Sequence, residues 1–168
     1  MTYTLDSASA PFSNTQLADA VPATTAQIKR LSVDDQLALL WFAYTEIGRS
    51  ITPAAPGAAR LQFAEGLLNQ IKQMSHEEQL KVMRDLATNA NTQISRSYGI
   101  LSVNTKLAFW YQLAELMKDG FVVPVPFGYR MSRDAEKAFE TLKQLDFGQQ
   151  ITVLRNAVVD MGIDPLAD

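Results

Sequence analysis

The fold class follows from the stretch LSVDDQL at residues 31–37, because this pattern opens a helix and recurs along the chain. Related stretches are MSHEEQL at 74–80, LSVNTKL at 101–107 and LDFGQQI at 145–151. In each, the second residue is a Ser or Asp that can cap the free N–H groups of a first helical turn. In three of them an acid or Gln follows three residues later, as in a capping box. Convergent helix-start chemistry and internal repetition both account for the pattern.

Apolar residues recur at three- and four-residue steps along most of the chain, which predicts helices. Pro53, Pro56, Pro124 and Pro126 interrupt this pattern, since a proline inside a helix costs about 3 kcal/mol. The predicted helices lie near residues 22–30, 33–48, 57–73, 76–88, 103–118, 133–144 and 148–161. Several similar helices with short connections indicate an all-α bundle. We predict a loose N-terminal arm at residues 1–20, containing a short helix, and a helical domain at residues 21–168.

The amino-acid composition argues against several classes of function. The 168 residues are 47% hydrophobic, enough for the core of one domain, and the net charge of -3 disfavours a nucleic-acid binder. No apolar run reaches the roughly 20 residues of a membrane span, and residues 1–10 lack a secretory signal, so we expect a cytoplasmic protein. A single histidine, His76, and no cysteine offer few metal ligands. Neither phosphate-binding nor nucleophile motifs occur, so we predict no enzymatic activity.

Two aromatic stripes stand out on the predicted helices. Trp41 and Tyr44 share one helix face with Leu37 and Leu40, while Trp110 shares a second with Leu107 and Met117. The loop PVPFGY at 124–129 adds apolar and aromatic residues on a stiff backbone. Such stripes are typical of an ordinary core, but they also suit an apolar tunnel for a long uncharged ligand. The residues alone leave both interpretations open.

Several blocks in register resemble the N-terminal helical domain of the cyanobacterial orange carotenoid protein family. They are VPAT at 21–24, DQLAL at 35–39, WFAY at 41–44, AAPGAA at 54–59, FWY at 109–111, VPVP at 123–126, GQQITVLRN at 148–156 and VVDMG at 158–162. Together they extend over essentially the whole chain. The longer family protein has a C-terminal domain after a linker, and this chain stops where that linker would begin. We therefore expect a stand-alone helical carotenoid protein, although an excised domain would look similar.

The resemblance implies a fold of two interleaved four-helix bundles that hold one keto-carotenoid of the canthaxanthin, echinenone or 3'-hydroxyechinenone type. Leu40 and Val125 stand where the relative has Ile, which keeps the apolar character of the ring pocket. The carotenoid-binding residues implied are Leu37, Leu40, Trp41, Tyr44, Met83, Leu107, Trp110, Met117, Val125, Tyr129, Thr152, Val158 and Met161.

The resemblance also implies partner contacts at Asn104 and Arg155, which match positions that face the C-terminal domain. In the longer relative the matching arginine also helps to dock on the phycobilisome, although without the resemblance a surface arginine is the more common interpretation of Arg155. His76 receives no role and is expected on the surface.

The function implied by the resemblance is photoprotection, in which the bound carotenoid quenches singlet oxygen without the photoswitching of the two-domain relative. Two alternatives stay open. One is a constitutive phycobilisome-binding energy quencher. The other is a carotenoid carrier that exchanges pigment with a homologue of the C-terminal domain. A place near the thylakoid surface or the phycobilisome would suit each of them.

Overall fold

The computed structural model of the chain describes residues 14–48 and 61–166. Within these ranges the chain forms eight α-helices and no β-strand, which confirms the predicted all-α class. In chain order the helices are α1 (Asn14–Lys29), α2 (Val33–Ile47), α3 (Leu61–Lys72), α4 (His76–Ala87), α5 (Gln93–Gly99), α6 (Val103–Lys118), α7 (Arg133–Gln144) and α8 (Phe147–Val159).

Helix α1 differs most from its prediction, because it begins eight residues earlier and contains Pro22 in its interior. A proline there removes one helical hydrogen bond. The helix nevertheless continues, since Ala20 and Val21 before the proline region and Ile28 after it pack on the same hydrophobic core. Helix α1 thus runs across residue 20, the predicted end of the N-terminal arm. Residues 1–13 lie outside the described ranges, so the arm stays a prediction.

The short helix α5 was not expected from the sequence. It has seven residues, and Thr92 caps it by accepting a hydrogen bond from the Ser95 N–H. Its stretch has too few apolar residues to show a helical period, because only Ile94 and Tyr98 are spaced by one turn. Helix α3 begins at Leu61, and the first four residues predicted for it, 57–60, lie outside the described ranges. The other helix ends agree with the predictions to within two residues.

All four predicted caps are present. Ser32, Ser75, Ser102 and Asp146 each accept a hydrogen bond from the backbone N–H three residues later. The reciprocal half of a capping box is formed by Glu78 in α4 and by Gln149 in α8.

A second feature is common to these four helix starts. The side chain four residues after each cap donates to a carbonyl near the end of another helix. Gln36 donates to the Leu31 carbonyl, Gln79 to that of Ile71 and Gln150 to that of Leu142. Lys106 occupies the same position in α6, and its Nζ donates to the Val159 carbonyl. Because helix-end carbonyls have no partner within their own helix, this position joins the start of one helix to the end of another, which is the preceding helix for Gln36, Gln79 and Gln150 and the last helix for Lys106. The shared role favours internal repetition.

The helices form two bundles, each around its own hydrophobic core. The first bundle comprises α1, α2, α7 and α8, and the second comprises α3, α4, α5 and α6. The fully buried residues of the first core include Leu39, Leu142 and Val153, and those of the second include Ile71, Leu86, Phe109 and Leu113. The second bundle is inserted in the chain between the two halves of the first, which confirms the predicted interleaved architecture.

The bundles are joined by elements that contact both cores. Helix α8 contributes Val153 and Leu154 to the first core and Val158 to the second. Leu40 of α2 and Leu107 of α6 pack against both cores. The space between these two helices is where the chain leaves a cavity.

Candidate functional site

A large apolar cavity lies between the two bundles, with about 1070 Å³ of space free of protein atoms, part of it continuous with solvent. Its walls come from α2, α4, α6 and the loop after α6, with one residue of α8. Most of the lining side chains are aliphatic or aromatic. They are Leu37, Ala38, Leu40, Trp41, Ala43, Tyr44, Leu80, Met83, Leu107, Trp110, Tyr111, Ala114, Met117, Val123, Pro124, Val125, Pro126, Tyr129 and Leu154; Gly48, Asp34 and Arg84 complete the wall.

The cavity brings together ten of the thirteen predicted carotenoid-binding residues: Leu37, Leu40, Trp41, Tyr44, Met83, Leu107, Trp110, Met117, Val125 and Tyr129. The other three lie elsewhere. Thr152 is exposed, and its hydroxyl donates to the Gly148 carbonyl. Val158 and Met161 are buried in the second core. A ligand contact at these three positions stays a prediction.

Three aromatic side chains make a continuous wall on the α2 and α6 side of the cavity. The rings of Trp41 and Tyr44 are stacked with centroids 5.9 Å apart, and Tyr44 meets the edge of Tyr111 at 5.2 Å. Burial, followed by the neighbouring Glu115 carboxylate, raises the pKa of both tyrosine hydroxyls. Both hydroxyls therefore remain neutral at physiological pH, which keeps this wall free of charge.

Trp110, also on α6, lines the cavity and is fixed from behind by a buried tyrosine. Its indole Nε1–H donates to the Tyr98 hydroxyl at 3.0 Å, and that hydroxyl donates to the Val158 carbonyl at 2.6 Å. Tyr98 is fully buried, and burial raises the pKa of its hydroxyl. Gly162, at φ +71°, lets the chain pass the tyrosine closely, because a Cβ there would lie 2.7 Å from the ring. The indole plane is thus set by a chain of hydrogen bonds.

The loop wall at residues 123–126 is held by a single buried amide. The Gln79 Oε1 accepts from the Val123 N–H at 2.8 Å, and its Nε2 donates to the Phe121 carbonyl at 3.0 Å. The same Nε2 donates to the Ile71 carbonyl at the end of α3. Gln79 is 1% exposed, so water does not compete for these bonds. One side chain of α4 therefore fixes the start of the loop that carries Pro124 and Val125.

The far end of the loop is held by Asp35. Its carboxylate accepts from the Tyr129 hydroxyl at 2.9 Å and from the Ser132 N–H at 3.3 Å. Burial would raise the pKa of Asp35, but the hydrogen bonds from Ser132, Tyr129 and Ser32 outweigh it and lower that pKa. Conversely, burial and the Asp35 carboxylate raise the pKa of Tyr129 to about 12. The first-turn acid that sequence reasoning explained by helix capping thus anchors a cavity residue.

The charged pair on the cavity wall neutralises itself. Arg84 donates to both carboxylate oxygens of Asp34, at 2.9 and 3.0 Å. This two-point geometry holds the guanidinium against α2. The arrangement leaves an overall neutral, predominantly apolar site that suits an elongated uncharged ligand.

Comparison with known proteins places the chain in a family. Residues 14–164 match the family described as "Orange carotenoid protein, N-terminal". The chain belongs to the orange carotenoid protein N-terminal family. A protein of Nostoc sp. named "Orange carotenoid-binding domain-containing protein" is 70% identical over the full length of both chains.

Longer members of the orange carotenoid protein family match as well. The "Orange carotenoid-binding protein" of Synechocystis sp. is 53% identical over 96% of this chain and 51% of its own length. That of Limnospira maxima is 52% identical over 98% of this chain and 52% of its own length. The chain therefore spans about half the length of these two curated relatives.

Solved structures of the family share the fold. The orange carotenoid protein of Anabaena (Nostoc) sp. binding canthaxanthin superposes with a TM-score of 0.81 and 59% identity, over 88% of this chain and 48% of that one. The red carotenoid protein of the same organism, also binding canthaxanthin, gives a TM-score of 0.74 and 42% identity. That match covers 84% of this chain and 97% of the red carotenoid protein.

The family resemblance predicts partner contacts at two residues, and both lie outside the cavity lining. Asn104 is half-buried in the first turn of α6. Arg155 is half-buried on α8, and its Nε is enclosed without a hydrogen-bond partner among the described residues. His76 is exposed at the first position of α4.

Metal-binding clusters and membrane-spanning helices are both absent from the part of the chain that the structure describes. In the described ranges, no group of three or more His, Cys, Asp or Glu side chains could bind a metal ion. Nor does any helix found there combine the length and apolar character that a bilayer crossing requires.

Sequence reasoning missed the residues that hold the cavity walls from outside, namely Tyr98, Gln79 and Asp35. Tyr98 lies on the short helix that the periodicity did not reveal. Gln79 and Asp35 stand in the helix-start repeat, where capping chemistry accounted for Asp35 and Gln79 received no role. A usable signal was the Gln that recurs at the fourth position after the cap at residues 36, 79 and 150, since an amide that is buried among apolar residues needs a hydrogen-bond partner.

Proposed function

We propose that this chain binds one keto-carotenoid in the cavity between its bundles and protects against light by quenching singlet oxygen. The observation that carries the proposal is the cavity itself: an apolar space whose aromatic walls include Trp41, Tyr44 and Trp110. Canthaxanthin in the similar orange and red carotenoid proteins supports a ligand of this class.

The polar groups of the cavity support an uncharged polyene. Asp34 and Arg84 bind each other, and Tyr129 binds Asp35. The charged and hydroxyl groups of these two pairs are therefore already engaged with each other. We expect the site to recognise its ligand by shape and ring stacking rather than by hydrogen bonding. The chemistry belongs to the ligand, because a long polyene accepts energy from singlet oxygen and releases it as heat. The protein then needs only to hold and orient it, so we propose no catalytic activity.

Two alternatives use the same bound pigment and remain predictions. As a constitutive energy quencher, the protein would bind the phycobilisome through Arg155 and its surroundings. As a carrier, it would exchange carotenoid with a homologue of the family's C-terminal domain through the face that includes Asn104. A cytoplasmic location near the thylakoid surface or the phycobilisome is part of each proposal.

The test is purification of the protein from a host that makes canthaxanthin, followed by its visible absorption spectrum and pigment content. We expect a coloured protein with one carotenoid per chain. Replacing both Trp41 and Trp110 by Ala should remove the pigment or shift its spectrum. Phe42→Ala is the matched control, because Phe42 neighbours Trp41 on α2 but packs against Phe139 in the first core, 6.3 Å between centroids.

A colourless wild-type protein would refute the proposed function. Full loading with an unchanged spectrum in the double variant would refute the assignment of the cavity instead. The photoprotective role is tested by the decay of singlet-oxygen phosphorescence, which the pigmented protein should accelerate more than the pigment-free protein does.

A further inference from the structure

The loop between α6 and α7 is unusually apolar for an exposed segment. Its residues 120–129 read GFVVPVPFGY and contain no charge. Phe127 is 108% exposed, so none of the residues that the structure describes covers it, and Phe121 is 55% exposed. Large exposed apolar groups in one segment typically mark an interaction site.

This exposed loop is also a wall of the cavity. Val123, Pro124, Val125, Pro126 and Tyr129 line the cavity. Pro124 and Pro126 are at the same time exposed to solvent. The loop therefore stands where the cavity reaches the surface, and Phe127 projects from the rim.

The loop is stiff. Gln79 holds its start and Asp35 holds Tyr129 at its end. Between them Pro126 accepts a backbone hydrogen bond from Tyr129 at 3.0 Å, and Gly128 adopts φ +82° in this turn. Phe127 is thus presented on a preformed tip, and docking costs little conformational entropy.

Exposed cations flank the loop, which itself carries no charge, although the chain as a whole carries -3. Lys118, Arg130 and Arg133 are exposed at its two bases, and Lys72 lies with its Nζ 4.8 Å from the Phe121 ring centroid. The exposed acids nearby are Asp119, Asp134 and Glu136. Cations that flank an exposed aromatic suit an anionic lipid surface.

We propose that this loop is a docking surface for a lipid bilayer, with Phe127 inserted at the headgroup level, and that the carotenoid enters the cavity across it. The inference rests on the proposed function, because a water-insoluble polyene is stored in membranes and must leave them to reach a cavity. A bilayer also fits the loop chemically, since the aromatic tip meets the acyl boundary while the cations meet the headgroups.

The first experiment needs no carotenoid. The full chain is floated with vesicles of phosphatidylcholine alone and of phosphatidylcholine with phosphatidylglycerol. We expect binding to the anionic vesicles, weakened by salt. Phe127→Ser should reduce that binding about tenfold or more, because the variant loses the buried area of one aromatic side chain. Phe147→Ser is the matched control, since Phe147 is 46% exposed at the start of α8, outside the loop.

The second experiment measures transfer. Pigment-free protein is mixed with canthaxanthin-loaded vesicles, and the rate of protein-bound pigment formation is followed by absorption. Phe127→Ser should slow this rate about tenfold or more while Phe147→Ser does not. Final loading from canthaxanthin in detergent should be equal in wild type and both variants, because the cavity is unchanged.

The outcomes separate the two proposals. Wild-type protein that floats with neither vesicle type, or Phe127→Ser that floats and loads like wild type, overturns membrane docking and favours a protein donor. Vesicle binding that depends on Phe127, in a chain that takes up no canthaxanthin even from detergent, supports docking and refutes the proposed function alone.

Discussion

Replacing Tyr98 by Phe tests the idea that the cavity is shaped from behind its walls. The variant keeps the buried ring, which meets Phe109 edge-on at 5.3 Å, and removes only the hydroxyl. Two partners lose that hydroxyl: the Trp110 Nε1–H and the Val158 carbonyl. The carbonyl keeps other donors, because the backbone N–H groups of Asp160 and Met161 also point to it.

The expected cost is therefore that of one buried donor. Trp110 is 8% exposed, so its indole N–H is left without a partner in a mostly dry site. Such a group costs about 1–3 kcal/mol in the free energy of unfolding. For a chain of this size that corresponds to a fall in Tm of roughly 2–4 °C per kcal/mol.

The assay is urea unfolding of the pigment-free protein, combined with the ¹H–¹⁵N spectrum of the two indole groups. One indole cross-peak, that of Trp110, should move while that of Trp41 stays. Ser95→Ala is the control, because Ser95 lies on the same helix, is fully buried, and its hydroxyl has no hydrogen-bond partner in the described ranges. A Tyr98→Phe protein as stable as wild type, with both indole signals in place, would show that the hydroxyl does not position Trp110.

The two loop anchors give further predictions. Folding lowers the pKa of Asp35, so its carboxylate stabilises the folded protein above the unfolded pKa near 3.8, and this stabilisation is lost as the pH falls below that value. Asp35→Asn should therefore be less stable than wild type at pH 7 by about 1–2 kcal/mol and lose less stability in acid. Urea midpoints measured across pH test this. An identical acid dependence in wild type and variant would contradict this. Gln79→Ala should cost about 2–4 kcal/mol, since three backbone groups lose their partner, whereas Gln36→Ala, which bonds only helix-end carbonyls, should cost about 1 kcal/mol. Equal losses in the two variants would show that the loop does not depend on Gln79.

Much of the fold was predictable because its signals are local. The caps Ser32, Ser75, Ser102 and Asp146 lie within three residues of the groups they bind, so sequence spacing is enough to locate the helix starts. Helix α5 and the passage of α1 through Pro22 were not predictable, since tertiary packing decides them. A seven-residue helix has too little of its own periodicity. The intrinsic cost of the proline is outweighed by the packing of Ala20, Val21 and Ile28 on the first core, which the sequence pattern does not reveal.

For the site, the residues that face the cavity were predictable and those that support them were not. Trp41, Tyr44 and Trp110 lie on helical stripes that the sequence displays, and the family resemblance gave them a ligand. The support of Tyr98 for Trp110 joins residues twelve positions apart, and that of Asp35 for Tyr129 spans 94 positions. No periodic pattern encodes such pairings. A polar residue in an apolar stretch indicates that it needs a hydrogen-bond partner, but not which residue that partner is.

The insertion of one bundle within the other has a consequence for how the molecule is made. Helices α3 to α6 are consecutive, so on the ribosome their bundle can assemble as soon as α6 emerges. Helix α2 must instead wait for α7 and α8, which close its core over a loop of more than 80 residues, and such distant contacts form late in folding. The cavity wall of α2 thus comes into place last. A pigment that binds during synthesis would contact an incomplete groove. By binding across this groove it would favour the packing of α7 and α8.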